Sequence, residues 1–172
     1  MNSLTIIGRI FSPFKQAAGT PIQPSRAAGA NGHIELDPAY VPALKDLDGF
    51  DRIWLIYWFD RAIEAKLKVI PFRDTVERGI FSTRAPARPN PIGLSSVRLL
   101  SIAGNILSIA DVDILDGTPL IDIKPYVPEY DNFPVQRLGW IENALNHSVA
   151  DSRFEKPSLP RQGVELRTNS LC

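Results

Sequence analysis

The sequence predicts a mainly β domain whose strands close into a barrel or a strongly curved sheet, with short helices around it. Three observations carry this. The middle of the chain is a succession of strand-like segments joined by short connections. The G-x-G-x-x-G fingerprint of a doubly wound nucleotide-binding fold is missing, which disfavours a Rossmann-type enzyme. At 172 residues the chain is long enough for one domain with a proper core plus a tail.

Leu4 to Ile10 is rich in β-branched residues and reads as a first strand ending near Ser12-Pro13. From Phe14 to Asn31 the chain is loop-like, punctuated by Gly19, Pro21, Pro24 and Gly29; so long an irregular stretch inside a compact domain is more often functional than not. His33 to Leu36 reads as a short strand, followed by a short helix capped by Asp37, with Pro38 in its first turn and Gly49 at its end. The apolar run DRIWLIYWF, Asp51 to Phe59, suits a strand buried on both faces. LKVIPF holds a strand fragment interrupted by Pro71. Leu94 to Ile102 and Ile106 to Leu115 read as strands joined at Gly104-Asn105, and Asp116-Gly117 gives a hairpin-type turn signal into the next. Leu138, Ile141, Leu145 and Val149 recur at helical spacing, which predicts a helix over about Val135 to Ala150. The domain is expected to span residues 1–150, with 151–172 a flexible tail.

Composition excludes several classes. Lys+Arg equals Asp+Glu at 19 each, so any nucleic-acid contact must come from a local patch. One cysteine, Cys172, and two histidines, His33 and His147, build neither a disulfide framework nor a His/Cys metal site. The start MNSLTIIGRIFS lacks the regions of a signal peptide, and no apolar run approaches the roughly 20 residues that cross a bilayer. A soluble, cytoplasmic protein without metal is expected. P-loop, nucleophile-elbow and H-E-x-x-H signatures are also missing.

Two stretches carry candidate chemistry. In RAPARPNPIGLS, Arg84 to Ser95, the residues before each proline are pushed into extended geometry, so Arg84 and Arg88 project to the same side. Guanidinium groups on a stiff backbone lose little entropy on binding carboxylate or phosphate. A rigid surface loop with solvated arginines fits these residues equally well. In LDGTPLIDIKPY, Leu115 to Tyr126, the Asp-Gly turn stands beside Asp116, Thr118, Asp122, Lys124 and Tyr126, and such a turn lets backbone groups approach a ligand. Arg61 to Arg98 holds eight basic against three acidic residues, and Asp111 to Asp131 six acidic against one basic. That asymmetry suits a cationic cofactor and an anionic polymer, or ordinary surface ion pairing.

GRIFSPFKQAAGTPIQP, FDRIWLIYWF, GIFSTRAPARPNPIGLS and DGTPLIDIKPYVP together resemble the TrmO (TsaA-like, VirR-like) family over about residues 5–140. The resemblance implies a single-sheet β-barrel, a homodimer, and transfer of a methyl group from S-adenosylmethionine to N6 of N6-threonylcarbamoyladenosine at position 37, in the tRNA anticodon loop. It implies a cofactor site of Pro21, Ile22, Gln23, Asp60, Arg61, Arg84, Leu94, Asp116, Gly117, Thr118 and Pro119. The expected substrate contacts are Arg88, Lys124 and Tyr126, with Arg84 serving the cofactor carboxylate and Arg88 the threonyl carboxylate. Asp116 is the candidate proton acceptor. Set against longer bacterial members of that family, the chain is expected to lack a sizeable C-terminal extension after the barrel. Two other readings stay open: a non-catalytic barrel binding a nucleotide-like ligand or RNA, and a methyltransferase with another substrate.

Overall fold

The computed structural model describes residues 4–157. Its centre is a closed antiparallel barrel of six strands in the order β1-β2-β7-β6-β3-β8. These are β1 (Gly8–Phe11), β2 (Asn31–Leu36), β3 (Arg52–Trp58), β6 (Ile92–Ala103), β7 (Ile106–Ala110) and β8 (Thr118–Pro125). A two-stranded ribbon, β4 (Lys68–Val69) with β5 (Arg78–Gly79), stands apart, and one short helix, α1 (Pro128–Asp131), follows β8. The expected β-barrel is the observed fold, with no doubly wound sheet.

Alternation along each strand fills the interior. Ile10, Ile34, Ile53, Leu55, Val97, Leu107, Ile109 and Leu120 are all fully buried. Each removes roughly 1.5–3 kcal/mol worth of side chain from water, so together they outweigh any single polar contact in the molecule. Register shifts at Ile56/Tyr57 in the β3–β8 pair and at Leu99/Ser101 in the β6–β7 pair bend these strands, as closure of a narrow barrel requires.

The β6–β7 hairpin turns at Gly104-Asn105 as the sequence predicts, with Gly104 at φ 61° and the Asn105 amide donating to Leu36 O at 2.9 Å. Four expectations need correction. The first strand is shorter than Leu4 to Ile10: only Gly8–Phe11 is in the ladder. The DRIWLIYWF strand is not buried on both faces; Ile53, Leu55 and Tyr57 point inward while Trp54, Ile56 and Trp58 lie half-covered outside, because a closed barrel has one interior. Ile106 to Leu115 is strand only to Ala110, where Asp111 adopts φ 64° and turns the chain away. The Asp116-Gly117 turn is real, with Gly117 at φ 73°, but β8 pairs with β1 and β3, so it closes no hairpin with β7.

The predicted helix over Val135 to Ala150 is a single 3-10 turn, Gly139–Asn143, within otherwise irregular chain. Gly139 at φ 61° interrupts helical backbone. The segment is instead laced to distant loops: Leu145 N donates to Arg73 O, and Ala150 N to Thr20 O. Its apolar residues Leu138, Ile141, Leu145 and Val149 are all exposed. The helix expected after Asp37 is also 3-10, Pro38–Leu44, since Pro42 removes a donor from its middle; Asp37 caps it by accepting from Ala39 N at 3.0 Å. Of the residues expected to form the tail, Phe154 is 6% exposed and packs with Val69, Ile80, Ala85 and Ala87, while residues 158–172 lie outside the described residues.

Candidate functional site

A cleft of about 330 Å³ opens beside the barrel where the long early loop, the end of β3, the proline-rich loop and the start of β8 converge. Its size is that of a pocket for a drug-sized ligand. Apolar walls come from Ile22, Phe59, Phe72, Ile92 and Leu94, and polar groups from Gln23, Arg84, Tyr57 and Asp113.

The early loop is fastened in place by the segment near residue 150. Gly19 N donates to Ala150 O at 2.9 Å and Ile22 N to Ser148 O at 3.1 Å, and Pro21 bridges Val149. Loop 12–15 is held from below by Asp116, whose carboxylate accepts from Ser12 N at 3.1 Å and Lys15 Nζ at 2.8 Å. Burial pushes the Asp116 carboxyl up, but Lys15, the Ser12 amide and Arg61 outweigh it and hold it below its ordinary value. Arg61 extends the clamp by donating to Lys15 O and Asp116 O.

The proline-rich loop hangs its two arginines differently. Arg88 donates from Nη1 to Ile80 O at 3.1 Å and Thr83 O at 2.9 Å, which staples the loop onto the 3-10 turn Ile80–Ser82. Arg84 is exposed and donates to Gln23 Oε1 at 2.8 Å across the cleft mouth. Below them, the Tyr57 hydroxyl pairs with Ser95 Oγ at 3.1 Å, and burial pushes its phenol far above the ordinary value, so it stays neutral.

Of the residues singled out in the sequence, Pro21, Ile22, Gln23, Asp60, Arg61, Arg84, Arg88, Leu94 and Thr118 line this cleft. Asp116, Gly117 and Pro119 do not: they stand behind the wall, with Gly117 N donating to Ile10 O and Pro119 paired with Arg9 in the ladder. Asp116, the residue expected to accept the proton, thus has its carboxylate oxygens on Ser12 N and Lys15 Nζ. Lys124 and Tyr126, the other expected substrate contacts, also lie away from this cleft. Lys124 lies six residues along β8 from Thr118, about 20 Å at strand rise, and pairs with Asp122 at 2.7 Å. Tyr126 packs on Trp54 and borders a separate hollow beside Arg52.

Sequence reading missed Asp113, Ser95 and Phe154. Asp113 was visible only as one acid among many, Ser95 as a polar position in a strand, and Phe154 as the head of a tail. No local pattern marks them, because three remote segments make their surroundings.

The charge asymmetry resolves partly into pairing. Asp111 accepts from Arg52 at 2.6 Å and Arg98 at 2.9 Å, and Asp74 from Arg78 at 2.8 Å. Among the described residues, no cluster of three His, Cys, Asp or Glu side chains could hold a metal. No described helix is long and apolar enough to cross a membrane.

Barrel and cleft together define a β-barrel protein with a site for a small, partly polar ligand, outside the nucleotide-binding classes built on parallel sheets. Comparison with known proteins makes the assignment particular: residues 9–132 match the tRNA-methyltransferase O N-terminal domain, and the chain belongs to the TrmO family. A probable S-adenosyl-L-methionine-binding protein of Pyrococcus abyssi is 52% identical over 151 residues, covering 86% of this chain and 82% of its own. The tRNA (adenine(37)-N6)-methyltransferase of Escherichia coli is 34% identical over 156 residues, covering 85% of this chain and 66% of its own. The crystal structure of TrmO from Pseudomonas aeruginosa aligns with a TM-score of 0.68 at 38% identity over 81% of this chain. The present chain spans 62% of that solved chain.

Proposed function

We propose that this chain is an S-adenosylmethionine-dependent tRNA methyltransferase acting on N6 of adenine 37, and that its substrate base is N6-threonylcarbamoyladenosine. The observation that carries the reading is the cleft itself, which gathers Pro21–Gln23, Asp60–Arg61, Arg84, Leu94 and Thr118 from separate segments of a family member's barrel. Its residues fit such a cofactor: Arg84 offers a guanidinium fork at the mouth, and apolar walls suit an adenosyl body.

S-adenosylmethionine supplies an electrophilic methyl group on a sulfonium. The chain's own part is alignment, because the exocyclic nitrogen is a weak nucleophile whose lone pair is conjugated with ring and carbamoyl group; positioning alone can supply several kcal/mol of the barrier. Position 37 lies in a single-stranded loop, so the base enters the cleft at modest unstacking cost. Arg84 holds the cofactor carboxylate. Arg88, with Nη1 committed to loop carbonyls, turns the rest of its fork to the threonyl carboxylate.

Arg84→Ala is expected to weaken S-adenosylmethionine binding roughly 10- to 100-fold by calorimetry, the worth of a charge-assisted hydrogen bond. Arg88→Ala should leave that affinity near wild type and erase the preference for threonylcarbamoylated over unmodified tRNA in a methylation assay. The decisive test is nucleoside mass spectrometry of tRNA from a deletion strain: an undiminished N6-methyl signal defeats the assignment. A cytoplasmic site of action follows from the tRNA substrate.

The homodimer belongs to the same proposal. Leu67 and Phe81 are both 79% exposed, and the bond from Ile80 N to Leu67 O brings their stretches of backbone together, offering apolar side chains to a second copy. A monomeric sedimentation coefficient at micromolar concentration would exclude it.

A further inference from the structure

The floor of the cleft holds a carboxyl group that the fold leaves half-partnered. Asp113 sits between Val112 and Ile114, both buried, and its Oδ1 is sealed from solvent without any hydrogen-bond partner. A buried acceptor with no donor costs about 1–3 kcal/mol, so a carboxyl left in that state at the edge of a ligand cleft points to use of the group rather than to fold stability. The other carboxylates of the cleft are engaged. Glu155 accepts from Ala17 N at 2.9 Å, Asp151 from Arg153 at 2.6 Å, and Asp60 lies 3.7 Å from Arg61. Asp113 is thus the one described carboxyl lining the cleft with a buried, unpartnered oxygen.

Its surroundings come from three elements. Ser95 of β6 lies within reach, itself tied to Tyr57 of β3, and Arg84 faces it from the proline-rich loop. Arg84 is the charged group that acts on it, and the charge of Asp113 adds to burial in raising the Tyr57 phenol. Burial pushes the Asp113 carboxyl up to about 7, against the lowering pull of the Ser95 hydroxyl, its own backbone amide and Arg84. A group so tuned exchanges a proton readily near neutral pH.

Resting on the function proposed above, we infer that the Asp113 carboxylate accepts the proton leaving the methylated nitrogen. The nitrogen lone pair forms the bond to the methyl carbon, and the carbon–sulfur pair stays on sulfur, which becomes a neutral thioether. The N–H bonding pair returns to nitrogen as the proton moves to the carboxylate. Ser95, held by Tyr57, is a positioning residue that turns the carboxyl toward the cleft.

The test uses the full chain with S-adenosylmethionine and threonylcarbamoylated tRNA. Asp113→Asn should bind S-adenosylmethionine within roughly threefold of wild type by calorimetry, while its single-turnover rate falls roughly 100-fold or more. The wild-type rate should fall with decreasing pH through about 7, a limb that Asp113→Asn lacks. Ser95→Ala should move that limb to higher pH, because it removes a hydrogen bond that favours the carboxylate. Three outcomes overturn the inference: an unchanged rate in Asp113→Asn, a loss of cofactor affinity beyond roughly tenfold in that variant, or an unmoved limb in Ser95→Ala. A wild-type chain that binds no S-adenosylmethionine fails the functional reading itself, and so is distinguishable from each of these.

Discussion

Gly93→Ala is expected to destabilise the protein by about 2–3 kcal/mol and to abolish ligand binding at the cleft. Tyr57 and Gly93 face each other across β3 and β6, and the Tyr57 ring lies flat over the space a side chain at 93 would occupy. A Cβ there overlaps three ring atoms, so the ring must leave. It cannot leave cheaply, because Tyr57 is 4% exposed, meets Phe59 edge-on at 5.2 Å and bonds Ser95 at 3.1 Å. The floor of the cleft goes with it. Urea unfolding checks the magnitude, and a double-mutant cycle checks the cause: in a Tyr57→Ala background Gly93→Ala should cost little, since the clashing partner is gone.

Asp111→Ala is expected to cost about 2–3 kcal/mol at pH 7. Asp111 is 7% exposed, holds Arg52 and Arg98 on one carboxylate, and accepts from Gly29 N at 3.1 Å. Removing it leaves two guanidinium groups together without an anion, and leaves alanine at φ 64°. Asn at this position keeps the left-handed backbone at lower strain, so Asp111→Asn separates charge from conformation. The pH dependence has a definite sign. The Arg98 hydrogen bond, against the opposing effect of burial and with help from the Gly29 amide and Arg52, holds the folded carboxyl below its ordinary value. Its contribution is therefore complete above the unfolded value near 4 and is lost as pH falls through the lower folded one. Thermal melts from pH 7 down to pH 2 should show a steeper acid limb for wild type than for Asp111→Asn.

How much of this was legible in the sequence depends on how local its cause is. The β6–β7 hairpin was readable because Gly104-Asn105 and the alternation of Ile106, Leu107, Ser108 and Ile109 lie within one short window. The segment after Val135 was not. Its helical spacing is genuine, but Gly139 and hydrogen bonds to Thr20 and Arg73, more than 70 residues away, decide its course. The buried face of β3 was misjudged for a related reason: whether a strand has one wet side depends on closure, which the strand does not encode. In the site, the stiff loop around Arg84 was visible from its prolines. That Arg88 would be used inside its own loop was not, because its acceptors are the carbonyls of Ile80 and Thr83 rather than side chains. Asp113 owes its half-partnered state to strands β3 and β6, so no spacing rule could isolate it from its acidic neighbours.

The segment near residue 150 that fastens the early loop also sets an order in time. Every barrel strand is complete once residue 125 has been made, yet Ala150, Phe154 and Glu155, which line the cleft, come some 25 to 30 residues later. At typical elongation rates that is a delay of roughly one to six seconds. During synthesis the barrel can collapse first as a folded body with an open, unlaced loop at 14–31, and the pocket is finished only when the segment Ser148–Ala150 reaches Thr20 and Ile22. A nascent chain should therefore acquire protease resistance in its barrel before it acquires the ability to retain a ligand.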